Sequence, residues 1–273
     1  MTTHASDEWQ RWHEQRVATV SAPYGPLALR GTHWLEDYPD GRLPDIPGSW
    51  RADGDAVVLT AAEGDGITVD GRPLAGDVRL AADPGPPGAA RVAYGSRRLV
   101  VLVREGGWGV RDFDPDTEAR RSFGGIAVTP YDPRWSVPGR FTPYGTGSRV
   151  VRVPNADGRE RGLGLGGELT FPVPPAVSPD RGDAPAVREL TLQVTVEQDG
   201  SLWAVFADST SGAGSYRFRF LRPAAPDAAG RTTVDFNRAL LPPCAFADHF
   251  VCPFPPPGNT LDVAVEAGER NLL

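Results

Sequence analysis

Lysine is missing from this sequence: all 28 basic residues among its 273 are arginines. That excludes Schiff-base chemistry on a lysine amine and a phosphate loop built around a lysine. Cysteine is scarce too, with two residues, Cys244 and Cys252. No disulfide framework is needed, because a chain of this length buries a sizeable core without one. No apolar run approaches the ~18 residues of a membrane span, and the opening MTTHASDEWQRWHEQR has no apolar core of a secretory signal. A cytoplasmic protein is expected, with no membrane partner and with both cysteines reduced unless they hold metal or act in redox chemistry. Excess positive charge is also absent, the net charge being −7. That speaks against nucleic acid as a partner.

What is abundant is glycine and proline, 32 and 28 residues, which favours many turns and few long helices. Ser6 or Asp7 can cap one helix, in which Trp9, Trp12, His13, Val17 and Val20 recur at helical spacing, so residues 1–26 read as a helical segment that packs its tryptophan face. His13 is expected as a packed histidine. Residues 27–129 carry short β-like runs, including AVVLT, GITVDG, ARVAYG and RLVVLVREGGWGVRDF, with hairpins expected at EGDG and EGG. Residues 130–147, interrupted by Pro130, Pro133, Pro138 and Pro143 but rich in aromatics, read as a packed connection. Residues 148–273 form a second series, in which Leu190, Leu192, Val194 and Val196 alternate as a half-buried strand should. The expected fold is mainly β: an N-terminal helix, then two antiparallel β lobes, sandwich or barrel-like, with a proline-rich C-terminal segment closing over the second.

Several motifs invite a chemical reading. Gly162, Gly164 and Gly167 in GLGLGG match a dinucleotide fingerprint in spacing, but no apolar strand precedes them and no helix pattern follows, so a flexible turn is expected. FADSTSGAGSY, residues 206–216, has no nucleophile elbow and reads as hydrogen-bonded turn chemistry, with Asp208 and Tyr216 candidates for a pocket rim. Cys244, His249 and Cys252 have a C-x4-H-x2-C spacing that suits zinc with an open position, although a fourth ligand is not evident. A thiolate beside His249 or Arg238 is a further reading, and two buried thiols in a proline-rich loop are the plainest one. In VDFNR, alternation sends Asp235 and Asn237 to one face, and a carboxylate, an amide and the Arg238 guanidinium can bind one another or a polar ligand.

Three stretches, ADSTSGAGSYRFRFL, VDFNRALLPPCAFADHFVCPFPPPGNTLDVAVEAGER and, more weakly, GWGVRDFD with SFGGIAV and RWSVPGRFTPY, resemble the bacterial family called domain of unknown function 1684. The family pattern falls on Asp235, Phe236, Asn237, Arg238, Pro242, Pro243, Cys244, Cys252, Pro253, Asn259, Leu261, Ala267, Gly268 and Glu269. His249 stands outside it. The resemblance implies a shared fold and a shared C-terminal site, and it transfers no reaction. The expectation is a pocket lined by Asp235, Asn237, Arg238, Cys244, Cys252 and Asn259, with Asp208 and Tyr216 at its rim, binding a small polar or anionic molecule without a cofactor. Arg238 would pair the anionic group, Asp235 and Asn237 would orient it, and Cys244 would be the nucleophile, with Asp235 assisting, if chemistry occurs. The alternatives are a non-catalytic structural or interaction protein and a zinc enzyme using Cys244, His249 and Cys252.

Overall fold

Turn residues cut the chain into many short strands, and the computed structural model, which describes residues 2–145, 147–173 and 188–273, is mainly β with antiparallel sheets. Packing groups residues 16–123 and 246–250 into an N-terminal lobe, and the described residues through Gln15, of 124–245 and of 251–273 into a C-terminal lobe. Helix α1 (Thr2–Val20) buries Trp9 and Val20. His13 stacks on the Trp9 ring at 5.8 Å, a packed histidine as its spacing predicts. No helix among the described residues is long and apolar enough to cross a membrane.

The N-terminal lobe contains β1 (Leu29–Trp34), β2 (Ser49–Asp53), β3 (Ala56–Ala61), β4 (Ile67–Val69), β5 (Arg72–Pro73), β6 (Gly76–Leu80), β7 (Val92–Tyr94), β8 (Arg97–Arg104) and β9 (Gly107–Phe113). They form two sheets, ordered β1-β9-β8-β7-β4-β5 and β2-β3-β6. Trp50, Val57, Leu59, Leu80, Leu99, Val101 and Val110 fill the core. Alternation along β8 sends Val100 to the opposite face, where it meets Ala28, Leu29 and Phe113. EGG closes the β8–β9 hairpin as expected: Glu105 and Gly106 have φ of 48° and 81° between the paired Arg104 and Gly107, which matches a turn with both central residues left-handed. EGDG does not close a hairpin. Both edges of β3 are occupied, by β2 and β6, so β4 must pair in the other sheet, with β5 and β7. The turn Glu63–Asp65, closed by the Asp65 carboxylate on the Ala62 amide at 2.8 Å, carries the chain across.

The C-terminal lobe contains β10 (Ile126–Val128), β11 (Ser136–Pro143), β12 (Arg149–Pro154), β13 (Glu160–Leu165), β14 (Gly167–Val173), β15 (Arg188–Val196), β16 (Leu202–Phe206), β17 (Arg219–Leu221), β18 (Arg231–Asp235) and β19 (Glu269–Leu272). Its main sheet runs β17-β16-β15-β14-β11-β18, with β12–β13 and β10–β19 as separate pairs. Strand β11 lies inside the stretch expected as a connection, and the register explains how a proline-bearing segment takes an interior place. Pro138 pairs with Thr233 of β18 before β14 joins at Arg140, and Pro143 pairs with Gly167 of β14 after β18 has ended at Arg140. Each proline therefore has one unpaired side, where its missing N–H costs no ladder bond. GLGLGG also differs from the expected turn, since Gly162 and Gly164 are in β13, opposite Arg152 and Val150 of β12. The residue alternation "GLGL" already has a strand's period, burying Leu163 and Leu165.

Candidate functional site

The D-F-N-R stretch begins where β18 ends, and its side chains tie a knot. The Asp235 carboxylate accepts hydrogen bonds from the Asn237 amide N–H at 3.1 Å, from Asn237 Nδ2 at 2.9 Å and from Arg238 Nε at 3.2 Å, capping the short turn Phe236–Arg238. Phe236 is held edge-on by Trp135, Phe171 and Phe206, with ring centroids 5.3–5.9 Å away. Asn237 is 1% exposed, and its amide copies a strand partner: Oδ1 accepts from the Asp132 N–H at 2.9 Å and Nδ2 donates to the Asp132 carbonyl at 3.0 Å. The Asn237 carbonyl accepts from the Trp9 indole at 2.7 Å, and the Arg238 guanidinium covers the Trp12 ring at 5.4 Å.

What this knot positions is Asp132. Its carboxylate caps the turn Pro133–Trp135 through the Arg134 amide N–H at 2.9 Å and grips the Arg134 guanidinium at 2.6 Å. The Arg134 hydrogen bonds hold the Asp132 carboxyl below the usual carboxylate range. Asp132 and Arg134, with Thr129, Tyr131, Glu266 and Arg270, line a polar cleft of about 630 Å³. Burial raises the Tyr131 hydroxyl pKa, helped by the Asp235 charge, so Tyr131 stays a neutral donor. Arg270 gives Nε and Nη2 to the Gly214 carbonyl at 3.1 and 2.9 Å, and no carboxylate among the described residues pairs with it.

The cysteines form a second centre. Cys244, in the turn Pro243–Ala245, and Cys252 are both buried and not disulfide-bonded. The Cys244 N–H points at Cys252 Sγ, 3.3 Å away, while the Tyr216 hydroxyl donates to the Cys244 carbonyl at 3.1 Å and lies 3.6 Å from its sulfur. The hydrogen bond from Cys252 outweighs burial and, with Tyr216 and the Arg217 charge, lowers the Cys244 thiol to about 7. Burial and the adjacent sulfur push Tyr216 up to about 12. The thiol's neighbours are thus Tyr216 and Arg217, while Arg238 pairs with Asp235. Among the described residues no three His, Cys, Asp or Glu side chains form a group that could hold a metal ion. The His249 carbonyl accepts a hydrogen bond from the Thr32 hydroxyl at 2.7 Å.

The remaining candidates, Asp208 and Asn259, are buried. Asp208 and Arg219, both fully buried, pair at 2.5 Å, and Arg219 also donates to the carbonyls of Val265, at 2.9 Å, and Ala267, at 2.5 Å. Asn259, 0% exposed, accepts from the Gln193 N–H at 2.8 Å and donates to the Gln193 and Val205 carbonyls, both at 2.9 Å. The structure therefore gathers Asp235, Asn237 and Arg238 in one place and Cys244, Cys252 and Tyr216 in another, with Asp208 and Asn259 apart from both. Sequence reasoning missed the cleft residues Asp132, Arg134 and Arg270. The sequence Asp132-Pro133-Arg134 carries a usable signal, because an aspartate before proline and two residues before an arginine is a helix-turn start with its own counter-ion.

No curated protein matches the sequence. A solution NMR structure of an uncharacterized protein from Haloarcula marismortui is similar, with 29% identity over 55% of this chain and 78% of that one, at a TM-score of 0.42. The family described as "Protein of unknown function (DUF1684)" matches residues 121–270, which hold the D-F-N-R knot, both cysteines and the polar cleft. The chain belongs to that family.

Proposed function

We propose that the C-terminal lobe binds a small polar ligand bearing an anionic group in the cleft lined by Tyr131, Asp132, Arg134, Glu266 and Arg270. The observation that carries this reading is Arg270, a guanidinium on the cleft wall that donates to one carbonyl and to no carboxylate among the described residues. A cation so placed gains a charge-assisted hydrogen bond when an anion arrives. Arg134, already oriented by Asp132, and the neutral Tyr131 hydroxyl supply further donors. Asp235, Asn237 and Arg238 act by setting the Asp132 turn. In this reading the protein works in the cytoplasm, where both cysteines stay reduced.

The cleft is tested by thermal unfolding with succinate or inorganic phosphate, against sodium chloride of equal ionic strength. Stabilisation by the divalent anions that disappears in Arg270→Gln, with the far-UV spectrum unchanged, is the expected result. Equal stabilisation of both proteins overturns the reading. A second reading makes Cys244 a nucleophile, and its thiol pKa of about 7 favours it. It requires that a small electrophile modify Cys244 in the folded protein and leave the Cys244→Ser variant untouched.

A further inference from the structure

The N-terminal lobe holds an apolar cavity of about 550 Å³ that the cleft reading does not involve. Its floor follows from strand alternation. Arg111 and Phe113 are two apart on β9, on one face, and Arg111 lies opposite Val100 of β8, on the face away from the main core. Its walls are aromatic and proline-rich. Phe250 meets the Arg111 guanidinium at 5.2 Å from its ring centroid, and Pro23, Pro26, Pro86 and Pro87 fix the backbone on either side. Tyr24 has its hydroxyl occupied by the Ser96 carbonyl at 2.8 Å and its ring covered by the Arg98 guanidinium at 5.2 Å, so it offers the cavity an apolar edge.

Arg111 is the single charged side chain among the described residues that line the cavity. We infer that this cavity is a binding site for a small apolar monocarboxylate, an aromatic or short acyl body with one carboxylate directed to Arg111. The volume falls within the roughly 300–1,000 Å³ of small-molecule sites, which are mostly apolar with a few placed polar groups. Proline-set walls make the site largely pre-formed, which lowers the ordering cost of binding. Arg111 Nε donates to the Thr32 hydroxyl at 3.4 Å, and a carboxylate adds a charge-assisted hydrogen bond to the guanidinium that a neutral apolar ligand does not.

The experiment is a fluorescence titration of the whole protein with 2-naphthoate, with 2-naphthamide as the neutral analogue. Two variants accompany it. Arg111→Gln removes the charge. Gly88→Val places a side chain at an exposed position of the cavity rim, where even a Cβ would come within 3.2 Å of the Tyr24 ring. Saturable binding of 2-naphthoate, at least roughly tenfold tighter than the amide, with that preference lost in Arg111→Gln and binding of both compounds weakened in Gly88→Val, supports the site. Absence of saturable naphthoate binding overturns it. So does binding that ignores the carboxylate or is unchanged in both variants, provided circular dichroism shows each variant folded.

Discussion

Replacing Asp208 by alanine tests how the C-terminal segment is held. The Asp208–Arg219 pair has 0% exposure on both side chains. Removing the carboxylate leaves a buried guanidinium whose remaining partners are neutral carbonyls, and takes the acceptor from the Thr210 N–H, bonded to Asp208 at 2.7 Å. Breaking a buried pair from one side costs about 3–5 kcal/mol, and an unsatisfied amide adds about 1 kcal/mol. Burial already lowers the Arg219 pKa against the pull of the Asp208 charge, so the variant has a cation the site no longer compensates. Equilibrium unfolding in urea, followed by tryptophan fluorescence and fitted with a separate transition for each lobe, measures the loss. At an m-value of about 2 kcal/mol/M, a cost of about 4 kcal/mol moves the C-terminal transition down by roughly 2 M. The double variant Asp208→Leu, Arg219→Met recovers part of that, since it removes the stranded charge, but not all, because the carbonyls of Val265 and Ala267 lose their donor. A single-variant loss below about 1 kcal/mol, the range of an exposed ion pair, refutes the reasoning.

Other outcomes follow from the same geometry. Asn259→Ala deletes three hydrogen bonds of a buried amide, one of them fully buried, and costs about 2–4 kcal/mol in the same urea assay. Cys244 reacts with a disulfide reagent with an apparent pKa near 7, and Cys252→Ala moves that midpoint up towards 9.0. Because the folded thiol pKa is depressed, its contribution to stability grows as pH rises from about 7 to 9 and is lost as pH falls through 7; a flat dependence, with Cys252→Ala as reference, contradicts the assignment. Asp132 behaves alike on the acid side: its contribution is present above the ordinary value of 3.8 and disappears as pH falls through the lower folded value. Asp132→Asn should therefore flatten the acid limb of the stability profile.

Much of the fold was readable from local pattern. The run ELTLQVTVE buries Leu192 and Val194, and the two-residue EGG turn closes its hairpin, because strand alternation and positive-φ turns are short-range properties. Val196, at the end of the same run, is 44% exposed, since burial there depends on what covers the strand rather than on its own sequence. Pro138 and Pro143 suggested a connection, and only the staggered register of β14 and β18 shows why β11 tolerates them. The site divides similarly. The polar density of D-F-N-R was visible, but its direction was not. Asn237 reaches 105 residues back to Asp132, a contact no spacing rule could supply. Arg270 gave no local signal, because its position on the cleft depends on the placing of the chain's C-terminal strand β19.

The proposed anion site depends on Arg270, on the wall of the polar cleft. Nitrogen-15 NMR of the arginine Nε–H groups during a succinate titration tests it most directly. Saturable shifts of Arg270 and Arg134 at constant ionic strength, with the Arg134 response lost in Arg270→Gln, are the expected result. Shifts spread evenly over exposed arginines such as Arg79 and Arg231, or no saturation at either cleft residue, contradict it.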